Sequence, residues 1–158
     1  MSEPVAGRPD FPGYGISEEP PEATWSDAVA RLTSARSYWV ATATPEGRPH
    51  AMPVWGIWLE GAFFFSTDPG SRKGRNLAAS GEVVVHLESG DDVVILEGRV
   101  DHPTDAGLLL RFSDAYFEKY AVRLEPGPGF GIYRLRPRRA FTWRERDFPQ
   151  SATRWHWV

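Results

Sequence analysis

The sequence predicts a mainly β protein, a small antiparallel β-barrel with helices at its margins. Short segments rich in aromatic and β-branched residues recur along the 158 residues, and Gly, Pro, Asp and Asn separate them. Consecutive segments lie close enough in the chain to pair as hairpins. Only three stretches carry apolar residues at helical spacing, and they do not alternate regularly with the strands. This order favours a barrel over a parallel α/β sheet.

The N-terminal segment differs from the rest of the chain. Residues 1–22 hold five of the fourteen prolines and little apolar periodicity, which predicts an extended tail. Phe11 and Tyr14 are the residues of this tail that we expect to dock on the body of the protein. Residues 23–158 contain no internal repeat and no second change in composition, so we expect a single domain there.

The first half of that domain predicts one helix and three strands. The spacing of Trp25, Ala28, Val29 and Leu32 predicts a helix that ends near Ala35, with Thr24 or Ser26 as its N-cap. Aromatic and β-branched residues then predict strands over 38–44, 50–58 and 62–66. The turn residues between them favour an antiparallel meander of these three strands.

The second half predicts two more helices around a hairpin. A helix over 71–81 is followed by strands 82–87 and 93–101. A longer helix over 104–120 would place Leu109, Phe112, Tyr116 and Tyr120 on one face. Strands at 131–136 and 140–144 complete the barrel, and the proline–glycine repeat at 126–129 is interpreted as a connector.

Composition excludes several classes of function. The chain has no cysteine, so disulfides, thiolate metal sites and a cysteine nucleophile are excluded. The net charge is −3 and no basic run is longer than Arg138-Arg139, which argues against a nucleic-acid partner. The apolar runs are too short to span a membrane. The N-terminus has no basic region followed by an apolar stretch, so we expect no signal peptide and a cytoplasmic location.

Metal and hydrolase chemistry are poorly supported by the pattern of residues. The four histidines show no metal-ligand spacing, and we expect no metal site. No serine lies in a Gly-x-Ser-x-Gly turn, which argues against a triad hydrolase.

Residues 65–77 carry the strongest chemical signal. A strand delivers the hydroxyls of Ser66 and Thr67, and a glycine turn leads into a helix that begins with Ser71, Arg72 and Lys73. Hydroxyls, cations and the unpaired amides of a helix N-terminus together favour a bound phosphate. A capped surface helix with solvated cations has the same pattern, and spacing alone does not separate the two interpretations.

The aromatic content is the second signal. Seven tryptophans are more than the interior of one small barrel needs. Some of them must therefore lie at a subunit interface or around a flat ligand, and both alternatives stay open.

Several motifs extend these signals into a family resemblance. They are Gly47-Arg48-Pro49-His50-Ala51-Met52-Pro53-Val54-Trp55, Ser66-Thr67-Asp68-Pro69-Gly70-Ser71-Arg72-Lys73 with its continuation to Leu77, and Thr153-Arg154-Trp155. Through these motifs the chain resembles the pyridoxamine 5′-phosphate oxidase-like proteins, and in particular the actinobacterial branch that uses FMN or the deazaflavin coenzyme F-420. The resemblance covers roughly residues 11–158. The resemblance implies a split β-barrel of six to seven antiparallel strands as the cofactor-binding domain. The true oxidase has an Arg-Leu-x-Pro ending that this chain does not have at its C-terminus. Arg134-Leu135-Arg136-Pro137 has the same residue pattern but is interpreted as part of a strand, which argues against oxidation of pyridoxamine phosphate.

The resemblance also implies roles for particular residues. Ser71, Arg72 and Lys73 would hold the cofactor phosphate, and Ser66 and Thr67 would contact the phosphate or the ribityl chain. The remaining implied cofactor-binding residues are Met52, Pro53, Val54 and Trp55 along the ring, Asn76 near the chain, and Arg154 and Trp155 at the C-terminus. Members of the family are homodimers with the cofactor between subunits.

Three functions follow as hypotheses. The first is an oxidoreductase that binds F-420 or FMN and transfers a hydride to or from a small conjugated organic substrate, with no protein nucleophile. The second is a non-catalytic protein that binds or carries the same cofactor or a tetrapyrrole. The third is a dimer that has lost its ligand.

Overall fold

The computed structural model describes residues 2–125 and 131–158, so the predicted connector at 126–129 lies outside the described residues. No helix in this described part is long and apolar enough to cross a membrane. The elements are β1 (Val5–Gly7), α1 (Trp25–Ser34), β2 (Tyr38–Ala43), β3 (Pro49–Val54), β4 (Ile57–Leu59), β5 (Ala62–Thr67), α2 (Arg72–Ser80), β6 (Glu82–His86), β7 (Asp92–Asp101), α3 (Ala106–Tyr120), β8 (Gly131–Arg144), a 3-10 turn (Glu145–Asp147) and β9 (Thr153–His156).

The strands form one antiparallel sheet, which confirms the predicted fold class. The order along the sheet is β1-β9-β8-β7-β6-β2-β3, and β5 pairs with both β4 and β8. Within the described residues there are nine strands rather than six to seven. The additional strands are short: β1, β4 and β9 have three, three and four residues, too few for a clear alternation of apolar side chains.

Strand β8 joins the two halves of the barrel. It pairs with β7 on one side, and on its other side with β5 over 131–135 and with β9 over 139–142. The prediction of two separate strands here was wrong, because β8 runs without interruption for 14 residues. Pro137 interrupts the apolar pattern, but it lies opposite Gly98, where the register between β7 and β8 shifts.

The predicted three-stranded meander is also corrected. The segment 50–58 is not one strand, because the chain leaves β3 at Trp55-Gly56 and begins β4 at Ile57. Strand β3 pairs with β2, whereas β4 pairs with β5. Gly56 allows this crossing, since a Cβ there would lie 2.3 Å from the Phe63 ring and 2.8 Å from the carbonyl oxygen of Phe64.

Strand β5 separates two apolar clusters. Phe63 and Phe65 point into the barrel core, while Ala62 and Phe64 point toward α3. Burial on both faces explains why this strand reads as a continuous apolar run. Helix α3 packs on the second face through Leu108, Phe112, Tyr116 and Tyr120, so the predicted contact residue Leu109 is replaced by Leu108. This packing brings α3 close to the break between β3 and β4.

The N-terminal segment docks on the far edge of the sheet. It includes β1, which pairs with β9 and was not predicted as a strand. Phe11 packs against Phe141 and Trp143 with ring centroids 5.6 and 5.9 Å apart, and Tyr14 packs against Phe148 at 5.4 Å. The expected docking of Phe11 and Tyr14 is thus confirmed.

Candidate functional site

The start of α2 is built by its own turn. Ser71 is the N-cap: its hydroxyl accepts a hydrogen bond from the Gly74 amide at 3.1 Å and donates one to the Asp68 carbonyl at 2.7 Å. The Ser71 amide also donates to the Asp68 carbonyl. Both donors of Ser71 are therefore used within the turn, and this residue fixes the helix start instead of offering a free hydrogen-bond donor.

Gly74 lets the helix lie directly on that turn. A Cβ at Gly74 would lie 2.6 Å from the carbonyl oxygen of Asp68 and 2.7 Å from that of Pro69. Both are backbone atoms, so a larger residue would push the turn away from the helix. The motif Ser71-Arg72-Lys73-Gly74 thus combines a cap, two cations and a glycine that fixes their position.

The first turn of α2 offers donors and positive charge without a counter-charge. The amides of Arg72 and Lys73 have no acceptor among the described residues, as expected for the first turn of a helix. The first turn contains no acidic residue, and no carboxylate in the described part of the chain pairs with Arg72 or Lys73. Cations at the positive end of a helix are unfavourable by roughly 0.3–1 kcal/mol each, which an anion would reverse.

Lys73 is the most informative of these residues. The residue is only 9% exposed, and its ammonium group reaches the cleft with no hydrogen-bond acceptor among the described residues. Burial lowers the pKa of Lys73. A positive charge that is largely shielded from water and has no partner among the described residues is unfavourable, so this arrangement favours an anionic ligand.

Lys73 faces a cleft between β3, β5, α2 and α3. The cleft has a volume of about 430 Å³. It brings together Pro53, Val54, Trp55, Ser66 and Lys73, five of the predicted site residues, with Ser37 and Tyr116. Ser37 was missed because it precedes a strand and belongs to no motif, and Tyr116 because its helical spacing reads as core packing.

Trp55 forms one wall of this cleft and is held by aromatic contacts. Its ring stacks on Tyr120 at 4.6 Å with an interplanar angle of 1°, and the Arg36 guanidinium lies 5.2 Å from the Trp55 centroid. The Tyr120 hydroxyl accepts from the Gly56 amide at 3.0 Å. Helix α3 therefore fixes both the ring and the backbone of this wall.

Tyr116 offers a hydroxyl to the same cleft. The residue is 8% exposed, and its hydroxyl has no hydrogen-bond partner in the described part of the chain, yet it is not sealed from solvent. Burial raises the pKa of Tyr116, so the hydroxyl carries its proton at neutral pH. It is available as a donor to a bound molecule.

Other predicted site residues surround the cleft without lining it. The Thr67 hydroxyl lies 3.4 Å from that of Ser71, and the buried Asn76 donates its amide to the Thr42 hydroxyl at 3.0 Å. Asn76 thus ties α2 to β2. Met52 is 45% exposed on strand β3.

Arg154 and Trp155 lie elsewhere, in strand β9. Arg154 borders a separate surface cleft with Arg138, Arg139 and His156. Trp155 is 3% exposed, packs in the barrel core and donates its indole N–H to Thr142 at 2.9 Å. The structure therefore does not bring these two residues to the cleft within one subunit.

No metal centre is evident in residues 2–125 and 131–158. Among them, no three His, Asp or Glu side chains come close enough together to hold an ion.

Comparison with known proteins gives the family. A family model described as pyridoxamine 5′-phosphate oxidase matches residues 25–144. A comparison with curated proteins finds no significant match.

Solved structures share the fold at low identity. Conserved hypothetical protein Rv2991 from Mycobacterium tuberculosis is 23% identical with a TM-score of 0.68, covering 78% of this chain and 86% of that one. A pyridoxamine 5′-phosphate oxidase-related, FMN-binding protein from Nostoc punctiforme is 20% identical with a TM-score of 0.61, covering 86% and 92%. The heme storage protein HutZ from Vibrio cholerae is 16% identical with a TM-score of 0.59, covering 71% and 88%.

The family model spans the three helices and strands β2 to β8, which form most of the barrel and the whole lining of the cleft. The solved structures share this arrangement of strands and helices across most of their length. The chain belongs to the pyridoxamine 5′-phosphate oxidase family, with its split β-barrel fold.

Proposed function

We propose that this protein is an oxidoreductase that binds FMN or F-420 in the cleft beside α2 and acts on a small conjugated organic substrate. The single observation that carries this proposal is Lys73, a nearly buried residue in the first turn of α2 whose ammonium faces the cleft without a counter-charge among the described residues. A phosphate at this point would accept hydrogen bonds from the free amides of Arg72 and Lys73 and would neutralise both side chains. The similarity to an FMN-binding protein from Nostoc punctiforme supports the same class of ligand.

The rest of the cleft fits a planar ring. Pro53, Val54 and Trp55 form an apolar wall, and Ser66 adds a hydroxyl between this wall and the phosphate end. When bound, such a cofactor supplies the hydride chemistry, and the protein orients the reacting molecules and excludes water. Tyr116 would hold a proton at its hydroxyl oxygen, where a bound substrate could take it.

The working unit in this proposal is a homodimer. Strand β3 is an edge strand. Met52 within it and Trp55 directly after it are large apolar residues that are 45% and 37% exposed. A second subunit would cover them and close the open side of the cleft. Arg154 would reach a cofactor only from the partner subunit, since it lies away from the cleft of its own.

A binding or carrier protein is the second candidate. It is favoured by the fold shared with the heme storage protein HutZ, and by a cleft that needs no nucleophile. This candidate shares the phosphate and ring contacts, or takes a tetrapyrrole in their place. Turnover of a substrate separates it from the oxidoreductase.

The test is a fluorescence titration of the purified protein with F-420 and, separately, with FMN. We expect one of them to bind, and Lys73→Ala to weaken that binding by at least about tenfold, equal to about 1.4 kcal/mol. Arg146→Ala is the matched control: it also removes one positive charge, from a side chain that is 73% exposed. It should leave the affinity unchanged.

Two results would contradict the proposal. Equal affinity of the wild-type protein and Lys73→Ala would place the phosphate elsewhere. Binding of neither cofactor by a folded protein would exclude both the enzyme and the flavin carrier. Binding of one cofactor, with no transfer of its hydride to any of a panel of conjugated acceptors, would favour the carrier.

A further inference from the structure

His50 lies close to the proposed anion site at Arg72 and Lys73, and no hydrogen bond joins it to either residue. It is in strand β3, opposite Thr42 of β2, and Thr42 accepts the hydrogen bond from Asn76 of α2. His50 therefore lies on strand β3 where α2 packs against the sheet, within range of the charges of Arg72 and Lys73. It was part of the sequence motif around 47–55, but no role was predicted for it.

The imidazole of His50 has an unused polar atom. Its Nδ1 is sealed from solvent and has no hydrogen-bond partner in the described part of the chain. A buried polar atom without a partner is unfavourable, so it needs an explanation, and a ligand or a change of protonation is one. Burial, and then the charges of Arg72 and Lys73, lower the pKa of His50.

Among the described residues, the charged groups that act on His50 are positive. Helix α2 contributes Arg72 and Lys73, and β2 contributes the neutral Thr42. The one titratable residue of β2 is Tyr38, which pairs with Val54 at the other end of β3. In the absence of an anion these charges favour the neutral imidazole. An oxyanion between Arg72 and Lys73 would offset their charge and favour the protonated ring.

We propose that His50 takes up a proton when an oxyanion binds at the start of α2, so that anion binding and proton binding are coupled at this site. The inference rests on the proposed function, because the oxyanion occupies the place of the cofactor phosphate. Coupling is reciprocal: the anion raises the proton affinity of His50, and protonation of His50 raises the anion affinity. The affinity for an oxyanion is then highest at low pH and falls as pH rises through the range in which His50 of the complex loses its proton.

Inorganic sulfate is the appropriate probe, because it does not titrate between about pH 5 and 8 and any proton taken up must come to the protein. The imidazole resonances are followed by NMR against pH, without sulfate and with saturating sulfate. We expect the pKa of His50 to rise by about one unit in sulfate, which corresponds to tenfold coupling. The exposed His102, which lies against Ile132 on β8, is the internal control and should not shift.

A variant gives an independent readout. His50→Gln keeps a polar side chain of similar size but cannot take up a proton in this range. Sulfate should still bind to it, with an affinity that no longer depends on pH between about pH 5 and 8. His102→Gln should retain the pH dependence of the wild-type protein.

The outcomes separate this inference from the proposed function. Sulfate binding with an unchanged His50 pKa would overturn the coupling and leave the anion site in place. An undiminished pH dependence in His50→Gln would also overturn it. Failure of sulfate to bind at all would overturn it as well, and the separate titrations with FMN and F-420 would then decide the proposed function.

Discussion

The two lysines show how a rare residue marks a special position. The chain uses sixteen arginines and only two lysines, Lys73 and Lys119. Lys73 is buried and Lys119 is half-buried, each at a place where a compact ammonium fits, whereas most arginines form exposed ion pairs with carboxylates. A lysine carries three donors on one atom, so it fits a small site that the planar fork of arginine would not.

Lys119 fills such a site at the end of α3. Its ammonium donates to the carbonyls of Thr33 and Gly56, each at 3.3 Å, and to the Tyr38 hydroxyl at 2.8 Å. The three acceptors match its three protons, but none of them carries a negative charge. Burial lowers the pKa of Lys119 to about 8.

This lowered pKa predicts how stability depends on pH. The unfolded chain holds the Lys119 proton up to about pH 10.5, while the folded protein begins to release it near pH 8. The unfolded state therefore binds more protons between these values, and the free energy of unfolding should rise with pH from about 8 to 10. Above about pH 10 the raised pKa of Tyr38 acts in the opposite direction.

Urea unfolding at several pH values measures this effect. Lys119→Met keeps most of the side-chain volume and should reduce the rise, provided that the comparison is made below about pH 10. The lowered pKa of Lys73 acts in the same direction and leaves the remainder of the rise. If the free energy of unfolding rose equally steeply with pH in Lys119→Met and in the wild-type protein, the rise would belong to another group.

At the scale of elements, the position of α2 against the turn at 68–71 decides the geometry of the anion site. The helix starts where Ser71 caps it, and Gly74 allows close contact with the backbone of Asp68 and Pro69. The backbone amides of Arg72 and Lys73, which have no acceptor among the described residues, lie in the first turn of this helix. A shift of the turn relative to the helix would therefore move all the donors of the site together.

Gly74→Ala tests this contact. In an exposed helix, alanine would stabilise by about 1 kcal/mol over glycine, but here its Cβ meets backbone oxygens closer than 3 Å. We expect a net loss of stability of about 1–3 kcal/mol and a weaker affinity for the cofactor that the wild-type protein binds. Gly90→Ala, where a Cβ would meet nothing within 4 Å, is the control. If Gly74→Ala were more stable than the wild-type protein and bound the cofactor with normal affinity, the turn could move away from the helix without disturbing the anion site.

The elements also show what the sequence could and could not predict. Helix α2 was predicted well because its cap, Ser71, and its terminal Gly81 with positive φ are local signals. The break at Gly56 was not predicted, because the requirement for glycine comes from Phe63 and Phe64 across the sheet. Tyr116 was seen as a core residue, which it is, but its position in the cleft depends on how α3 packs.

At the scale of the whole molecule, the unpaired edge of the sheet at strand β3 is the surface best suited to contact a second subunit. Strand β3 pairs only with β2 in the described part of the chain, and its prolines, Pro49 and Pro53, remove two backbone donors from that edge. Extension of the sheet through β3 is thereby discouraged. The exposed Met52 favours side-chain packing as the way in which the proposed second subunit covers this edge.

Met52→Arg tests the proposed assembly. We expect it to shift the protein from dimer to monomer in analytical ultracentrifugation, and to weaken cofactor binding because the open side of the cleft is no longer covered. Leu110→Arg is the control, since Leu110 is 61% exposed on α3 and does not line the cleft. A Met52→Arg protein that remains dimeric with full affinity would exclude β3 from the interface.

The stack of Trp55 on Tyr120 has a practical consequence. Among the seven tryptophans, Trp55 is the one that lines the cleft in the described structure, and the stacked Tyr120 and the nearby Arg36 hold its indole in one orientation. A conjugated molecule in the cleft would lie within range to receive excitation energy from this indole and quench its emission. Trp55 is therefore an intrinsic fluorescent probe of the cleft. The decrease in its emission when a molecule binds measures the occupancy of the cleft without an attached dye.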